Sequence, residues 1–324
     1  MSRKFLKILC VVLPIVIFFS IGIFFLGTGK ISLPNFFEST ETYKSDLKTE
    51  PLELEILRKS YPDVVFVSEF DEKKDDWKIT VTAPIFPNKD DFKVCEFYWA
   101  DGRMLYEDEL ANKEKYWKMI YPYSKLKDPA LLSEEEIERI RKFGSAENRR
   151  NGAGSSMFFF DFLYAAKSRI IIEDHIVPVT FLGKKTKIHE RIKIPLERVE
   201  KKIYSCAQDK EIKDFIEGLH SADCYNWREI AGTSRKSFHT YGIAIDLMPK
   251  RLGGKEIFWA WAKERYPEKW MLVPFEKRWT PPKKVIDFFE EEGFIWGGNW
   301  IIFDNMHFEF HPELINATAS ARDL

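Results

Sequence analysis

The sequence predicts an α+β fold in which a small antiparallel sheet is flanked by helices, after an apolar N-terminal segment and a β-rich region. Three observations predict it. Short segments such as Trp77–Thr82 alternate between apolar and polar residues, as half-buried strands do. Residues 196–219 instead place apolar side chains at helical spacing. The N-terminus contains a long uncharged apolar run.

Residues 1–30 are predicted to form a transmembrane anchor. Three basic residues precede an uncharged apolar stretch over residues 8–29, which is long enough to span a bilayer. The basic flank predicts that the N-terminus stays in the cytoplasm and that the rest is exported. A cleaved signal peptide is the alternative, although its apolar region would be shorter, about 7–15 residues, and would end at a small-residue cleavage site. The polar residues 31–53 lack periodicity and are predicted to be a linker.

Composition and cysteine content narrow the class of protein. The 324 residues carry a net charge of −1, which argues against nucleic acid as the main partner. Cys95, Cys206 and Cys224 lie outside the predicted anchor. A Cys206–Cys224 disulfide is plausible in an oxidising compartment, and three reduced thiols are an equal alternative. No CxxC pair is present in the sequence, so cysteine-ligated zinc is disfavoured.

Residues 54–150 are predicted to be a β-rich accessory region. Its candidate strands are residues 63–67, 77–82 and 92–99, each rich in β-branched or aromatic residues. A helix is predicted over residues 132–140, because Ser133 is a suitable N-cap and three glutamates follow it. Residues 144–156, rich in Gly, Ser, Asn and Arg, are predicted to be a loop that bounds the region.

Residues 151–324 are predicted to form the domain that carries the chemistry. An aromatic, buried segment is expected at residues 157–166, and a strand followed by a turn at residues 176–186. One helix is expected over residues 196–219. Further candidates are helices at residues 253–262 and 282–291 and a short apolar strand at residues 301–303.

The most informative segment is the ten-residue run SFHTYGIAID, which contains His239 and Asp246. Gly242 allows a turn between them, so a hairpin-like bend can bring the two side chains together. Downstream, Asp304 is followed three residues later by His307. Two histidines and one aspartate make a three-ligand zinc site with an open fourth position, and the second aspartate can serve as a base. The pattern is typical of a metallohydrolase.

These two segments resemble the zinc D-alanyl-D-alanine carboxypeptidases and L-alanyl-D-glutamate endopeptidases, the VanY- and VanX-like enzymes and phage endolysins. The similarity is clear over Tyr225–Pro312 and weaker back to Met157. The resemblance implies a hedgehog/D-Ala-D-Ala peptidase-like fold and a Zn²⁺ cofactor. It also implies that His239, Asp246 and His307 are the zinc ligands and that Asp304 is the general base that activates the zinc-bound water.

Other site residues follow from the same resemblance. Arg228 matches an arginine near the scissile carbonyl, where it stabilises the oxyanion or binds a substrate carboxylate. Ser237 matches a serine that helps to hold the substrate, although a serine at such a turn often only caps backbone groups. Strand alternation places Glu309 beside His307 as a supporting partner. His311 shares that parity and is an alternative ligand, although its place before Pro312 favours a surface histidine. Asn299 departs from the Asp that endolysin-like members often carry.

The resemblance and the predicted anchor together indicate an exported, membrane-anchored zinc metallopeptidase of the D,D-carboxypeptidase type. Its expected substrates are peptidoglycan stem peptides, and its expected location is the bacterial inner membrane with the catalytic domain in the periplasm or outside the cell. Three alternatives stay open. They are an L-alanyl-D-glutamate endopeptidase of the same fold, a zinc amidase of other specificity, and a catalytically inactive cell-wall-binding module like the hedgehog-type signalling domains.

Overall fold

The computed structural model describes residues 48–86, 88 and 90–322. The predicted anchor at residues 8–29 and most of the predicted linker lie outside these residues. Within the described ranges, no helix combines the length and the apolar character that crossing a bilayer requires. The membrane anchor therefore stays a prediction.

The described residues form short strands and short helices. The strands are β1 (Val65–Asp71), β2 (Asp76–Pro84), β3 (Phe92–Tyr98), β4 (Tyr116–Trp117), β5 (Gly154–Ser155), β6 (Ile176–Phe181), β7 (Lys184–His189), β8 (Leu219–Asp223), β9 (Ala244–Pro249), β10 (Phe294–Trp296) and β11 (His307–Phe310). The helices are α1 (Glu53–Ser60), α2 (Glu134–Phe143), α3 (Ala146–Asn151), α4 (Phe158–Leu163), α5 (Arg169–Glu173), α6 (Lys193–Ser205), α7 (Lys210–Gly218), α8 (Trp259–Arg265), α9 (Lys283–Glu291) and α10 (Pro312–Arg322). The predicted α+β class with small antiparallel sheets is confirmed.

The N-terminal sheet is an antiparallel meander in the order β1-β2-β3. Phe66 pairs with Val81, and Val81 pairs with Cys95 on the other side. Ile79 and Val81 of β2 are fully buried, whereas Lys78, Thr80 and Thr82 beside them along the strand are partly exposed. Alternation predicted the second of these strands, and the structure confirms strands at all three predicted segments, with β1 displaced toward its C-terminal end.

The C-terminal sheet is also antiparallel and has the order β10-β11-β9-β8. Helix α9 covers one face of it, where the Phe289 ring stacks on Phe308 at a centroid distance of 4.0 Å. The register pairs His307 of β11 with Asp246 of β9. The sheet therefore brings together two segments that are 61 residues apart in the sequence.

One hydrophobic core joins the region before residue 150 to the region after it. Leu57 of α1, Phe97 of β3, Phe159 of α4 and Phe308 of β11 all belong to the same buried cluster. The Tyr61 and Phe159 rings meet edge to face at 5.5 Å. The β-rich accessory region thus packs directly against the elements that carry the candidate site.

Several local predictions hold and several are wrong. Helix α2 begins at a Ser133–Glu136 capping box, as its sequence predicts. The single helix predicted over residues 196–219 is in fact α6 and α7, because Asp209 caps a new helix after a break. The loop predicted at residues 144–156 contains α3 and β5.

Two further predictions are corrected by backbone conformation. The helix expected at residues 253–262 begins only at Trp259, since Gly253 and Gly254 have φ of 59° and 77°, which lie outside the right-handed helical region. Residues 301–303 form a bend rather than a strand.

Cys95, Cys206 and Cys224 are free thiols, so the Cys206–Cys224 bridge is not formed.

Candidate metal centre

His239 lies in a short 3-10 turn, Phe238–Tyr241, that leads into strand β9. Gly242 ends this turn in the left-handed conformation at φ 64°. A Cβ atom at this position would lie 2.7 Å from the backbone nitrogen of His189, so only glycine fits. The turn reverses the chain and brings the His239 imidazole back over β9, as the spacing of the motif predicts.

Asp246 and His307 face each other across paired strands. The Nδ1 atom of His307 lies 2.7 Å from Asp246 Oδ1. The Nε2 atom of His239 lies 3.2 Å from Asp246 Oδ2 and 3.3 Å from His307 Nδ1. The three side chains that the sequence singled out are therefore brought together in one cluster.

The donor set of this cluster suits zinc. Its three potential ligand atoms all lie within 4.8 Å of one another. Zinc bonds of about 2.0–2.2 Å in a tetrahedral site would place two ligand atoms roughly 3.4 Å apart. The two distances from His239 Nε2, 3.2 and 3.3 Å, are close to this value, whereas the 2.7 Å between His307 and Asp246 is shorter. Two imidazole nitrogens and one carboxylate oxygen are the ligand types of catalytic zinc sites with an open fourth position.

The remaining nitrogen of each imidazole is already engaged. His239 Nδ1 donates to the carbonyl oxygen of Cys224 at 2.6 Å. His307 Nε2 donates to Glu309 Oε1 at 2.8 Å. Because a carbonyl and a carboxylate only accept, these contacts direct His239 Nε2 and His307 Nδ1 toward the position between the three side chains.

The opposite charges of Asp246 and the two imidazoles favour the ionised form of each partner. Burial alone would raise the pKa of Asp246, but the two neighbouring imidazoles hold it well below its usual range. Burial would likewise lower the pKa of His307, whereas the Asp246 carboxylate raises it well above its ordinary value. The carboxylate is therefore ionised and available to a cation.

Asp304 lies in the bend that precedes β11. Its Oδ1 atom is buried and has no hydrogen-bond partner within the described part of the chain. Burial raises the pKa of Asp304 to about 7, and the Asp246 and Glu309 charges act in the same direction, while His307 and Arg228 act against it. A carboxyl group with such a pKa can exchange a proton near neutrality.

Arg228 and Ser237 flank one loop beside this cluster. The backbone nitrogen of Arg228 donates to Thr240 Oγ1 at 3.0 Å, and Thr240 Oγ1 donates to the Arg228 carbonyl at 2.6 Å. The Arg228 charge is one of those that lower the pKa of Asp304, against the stronger effect of burial. Ser237 is buried, and its hydroxyl accepts from the His239 backbone nitrogen at 3.3 Å. That contact is the backbone-capping role that the sequence left open.

The prediction of a surface His311 is wrong. The residue is 4% exposed and lies between the Phe160 and Phe238 rings. Its Nδ1 atom donates to Glu313 Oε1 at 2.7 Å, and its Nε2 atom lies 3.3 Å from Glu309 Oε2. Burial would lower the pKa of His311, but the charges of Glu313 and Glu309 raise it to about 9. The alternation of His307, Glu309 and His311 along the chain is the signal that could have found this contact.

Asn299, which departs from the Asp of endolysin-like proteins, forms a local contact. Its side-chain nitrogen donates to the Tyr123 hydroxyl at 3.0 Å. The same hydroxyl accepts from the Trp296 backbone nitrogen at 2.9 Å. Tyr123 thus links the accessory region to the turn that precedes Asp304.

Two family models match parts of this chain. A family model described as D-alanyl-D-alanine carboxypeptidase matches residues 231–310, and a model described as a domain of unknown function matches residues 53–121. No solved structure matches the chain. His239, Asp246, Asp304 and His307 fall inside the first matched segment. The candidate metal centre therefore lies within the part of the chain that is similar to D-alanyl-D-alanine carboxypeptidases.

Proposed function

We propose that this protein is a zinc metallopeptidase that hydrolyses peptide bonds in peptidoglycan stem peptides, as a D,D-carboxypeptidase. The observation that carries the proposal is the convergence of His239, Asp246 and His307. Beside it stands an Asp304 oxygen that is buried and has no hydrogen-bond partner in the part of the chain that the structure describes. This arrangement supplies three ligands and a separate base, the minimum set for metal-assisted hydrolysis. The match of residues 231–310 to D-alanyl-D-alanine carboxypeptidases supports the substrate class.

The residues divide the work of hydrolysis among them. When bound, zinc would polarise the substrate carbonyl and lower the pKa of a water at the open position. Asp304 Oδ1 can accept a proton from the attacking water and then return it to the leaving amine. Arg228 can donate paired hydrogen bonds to the developing oxyanion or to the carboxylate of the substrate. No serine or cysteine nucleophile is needed.

A basic cavity lies at the tip of the loop between Arg228 and Ser237. It has a volume of about 580 Å³ and is bordered by residues 232–234, the tip of the loop between Arg228 and Ser237. Arg149, Arg150 and Lys263 line it, and none of the described residues in its lining is acidic. Peptides that carry several carboxylates would be attracted to such a cavity.

We further propose that the protein is exported and held at the bacterial inner membrane, with the site in the periplasm or outside the cell. The support is the apolar stretch at residues 8–29 and its basic flank. A tether on the outer face of that membrane would keep the site close to the cell wall.

Stem pentapeptides incubated with the purified full chain, zinc-loaded or stripped with chelator, test the proposal by mass spectrometry of the products. Zinc-dependent loss of the terminal D-Ala supports it. Cleavage between L-Ala and D-Glu would replace it with the endopeptidase alternative. Stem peptides that bind zinc-loaded protein and stay intact would indicate an inactive binding module, which the retained Asp304 argues against.

A further inference from the structure

We infer that Tyr61 is a positioning residue of the metal centre, acting through Glu313, His311 and Glu309 on the ligand His307. This inference rests on the proposed function. It assigns a role to the region before residue 122, for which the matched family model offers none. We call these five residues the buried network.

An unbroken series of side-chain contacts connects the five residues of the buried network. The Tyr61 hydroxyl donates to Glu313 Oε2 at 2.6 Å. Glu313 Oε1 accepts from His311 Nδ1 at 2.7 Å, and His311 Nε2 lies 3.3 Å from Glu309 Oε2. Glu309 Oε1 then accepts from His307 Nε2 at 2.8 Å. Glu313 and Glu309 each use one carboxylate oxygen toward each of their two neighbours. A displacement of Tyr61 would therefore be transmitted through them to His307.

The surroundings make these contacts strong. None of the five side chains is more than a tenth exposed, and Glu313 is fully buried. Hydrogen bonds in such a low-dielectric environment are stronger than in water, and a buried carboxylate that loses a donor bears a large desolvation cost. Burial and the Glu313 charge raise the pKa of Tyr61 well above its usual value, so its hydroxyl stays protonated and donates.

Tyr61 stands at the end of α1, in the region that matches the domain of unknown function. Helix α1 packs on α10, where Asn316 Nδ2 donates to Ser60 Oγ at 2.9 Å. Glu313 belongs to the first turn of that same α10. The accessory region therefore supplies the last donor of a network that ends on a metal ligand.

The consequence concerns the ligand His307 itself. Glu309 holds its Nε2–H and so keeps Nδ1 directed toward Asp246 and His239. Outer partners of metal-bound histidines typically change metal affinity by about 10–100-fold when they are lost. Tyr61 is separated from His307 by three other side chains, so we expect its loss to weaken zinc binding by a smaller factor.

The test compares zinc dissociation constants of the full chain, measured by chelator competition at one fixed pH. Tyr61→Phe removes one hydroxyl and keeps the ring. Tyr164→Phe is the matched control, because Tyr164 is equally buried and its hydroxyl has no hydrogen-bond partner among the described residues. We expect Tyr61→Phe to weaken zinc binding about threefold to tenfold, below the effect of losing a direct partner. Tyr164→Phe should leave the zinc affinity unchanged.

A double-mutant cycle separates positioning from general destabilisation. Glu309→Gln alone should weaken zinc binding by about 10–100-fold. If Tyr61 acts through Glu309, adding Tyr61→Phe to Glu309→Gln should weaken binding by no more than about twofold further. A purely structural role would lower the thermal midpoint without this coupling.

Three results would overturn the inference. They are an unchanged zinc affinity in Tyr61→Phe, an equal loss in Tyr164→Phe, and additive effects in the double mutant. A wild-type chain that binds no zinc would overturn the metal site and the inference together. By contrast, zinc-loaded protein that cleaves no stem peptide would overturn only the proposed function, since the affinity comparison needs no substrate.

Discussion

The N-terminal sheet, β1–β3, and the C-terminal sheet, β8–β11, are both antiparallel, yet they bury different chemistry. The N-terminal sheet turns Ile79 and Val81 toward the core and leaves Val67 and Val94 58% and 62% exposed. Its interior is apolar, so its stability comes from the area removed from water.

The C-terminal sheet buries charged and polar groups along with its apolar ones. On β11, Phe308 packs on α9, while His307 and Glu309 are buried on the other side. These polar groups are tolerated because each has a partner of opposite character at hydrogen-bond distance. The comparison shows that one sheet is built for burial and the other for holding a reactive cluster, and four predictions test that difference.

The largest effect is expected from removing a ligand of the C-terminal sheet. His307→Ala should lower zinc affinity by more than about 100-fold, beyond the 10–100-fold typical of an outer partner. Metal content after gel filtration and the chelator-competition constant measure it. The control is His220→Ala, because His220 is exposed on β8 and should bind zinc like the wild type. Retention of stoichiometric zinc by His307→Ala would refute the ligand set.

The second-largest effect is expected on kcat when Asp304, the proposed general base, is replaced. Asp304→Asn keeps the shape of the side chain and removes its ability to accept a proton. We expect kcat to fall by about 10²–10⁴-fold, the usual contribution of a general base, with zinc affinity nearly unchanged. Steady-state kinetics on stem peptides, combined with metal analysis, measure both. Full activity in Asp304→Asn would show that another group takes the proton.

A pH dependence follows from the raised pKa of Asp304. The metal-free native state holds this proton up to about pH 7, whereas the unfolded chain loses it near the ordinary value of 3.8. Between these values the native state binds more protons, so the Asp304 contribution to stability falls as pH rises. Metal-free Asp304→Asn should therefore melt like the wild type near pH 4 and at a higher temperature above pH 7. Scanning calorimetry across this range checks the crossover, and parallel curves would contradict it.

The smallest effects are expected in the N-terminal sheet, where the two faces can be compared with one residue type. Val81→Ala should cost about 2 kcal/mol, because it removes buried methyl groups at about 0.8 kcal/mol each and leaves a cavity. Val94→Ala, on the exposed face, should change stability by less than about 0.5 kcal/mol. Urea denaturation measures both. Equal values would mean that the outer face is also covered.

Local features were well predicted where neighbouring residues decide them. The second N-terminal strand follows from period-two alternation and its two neighbours from β-branched and aromatic content. Helix α2 follows from Ser133 and the acidic turn after it. The break at residues 206–209 was missed because the apolar spacing continues across it. The apparent helix before Trp259 was excluded by Gly253 and Gly254, whose φ values only the structure shows.

By itself, the sequence determined which residues gather at the candidate site. The turn at Gly242 and the motif around His307 are short-range features, and they single out His239, Asp246 and His307, which the fold then brings together. Glu309 also lies where strand alternation places it, beside His307.

Only the tertiary structure decided what surrounds these residues. It buried His311 between two carboxylates and joined Tyr61 to Glu313, which is 252 residues away in the chain. It also buried the Asp304 carboxyl, with no donor to its Oδ1 atom among the described residues, and this burial raises its pKa. The physical reason is that burial and long-range hydrogen bonds depend on which surfaces pack together, and no local pattern in the sequence specifies that packing.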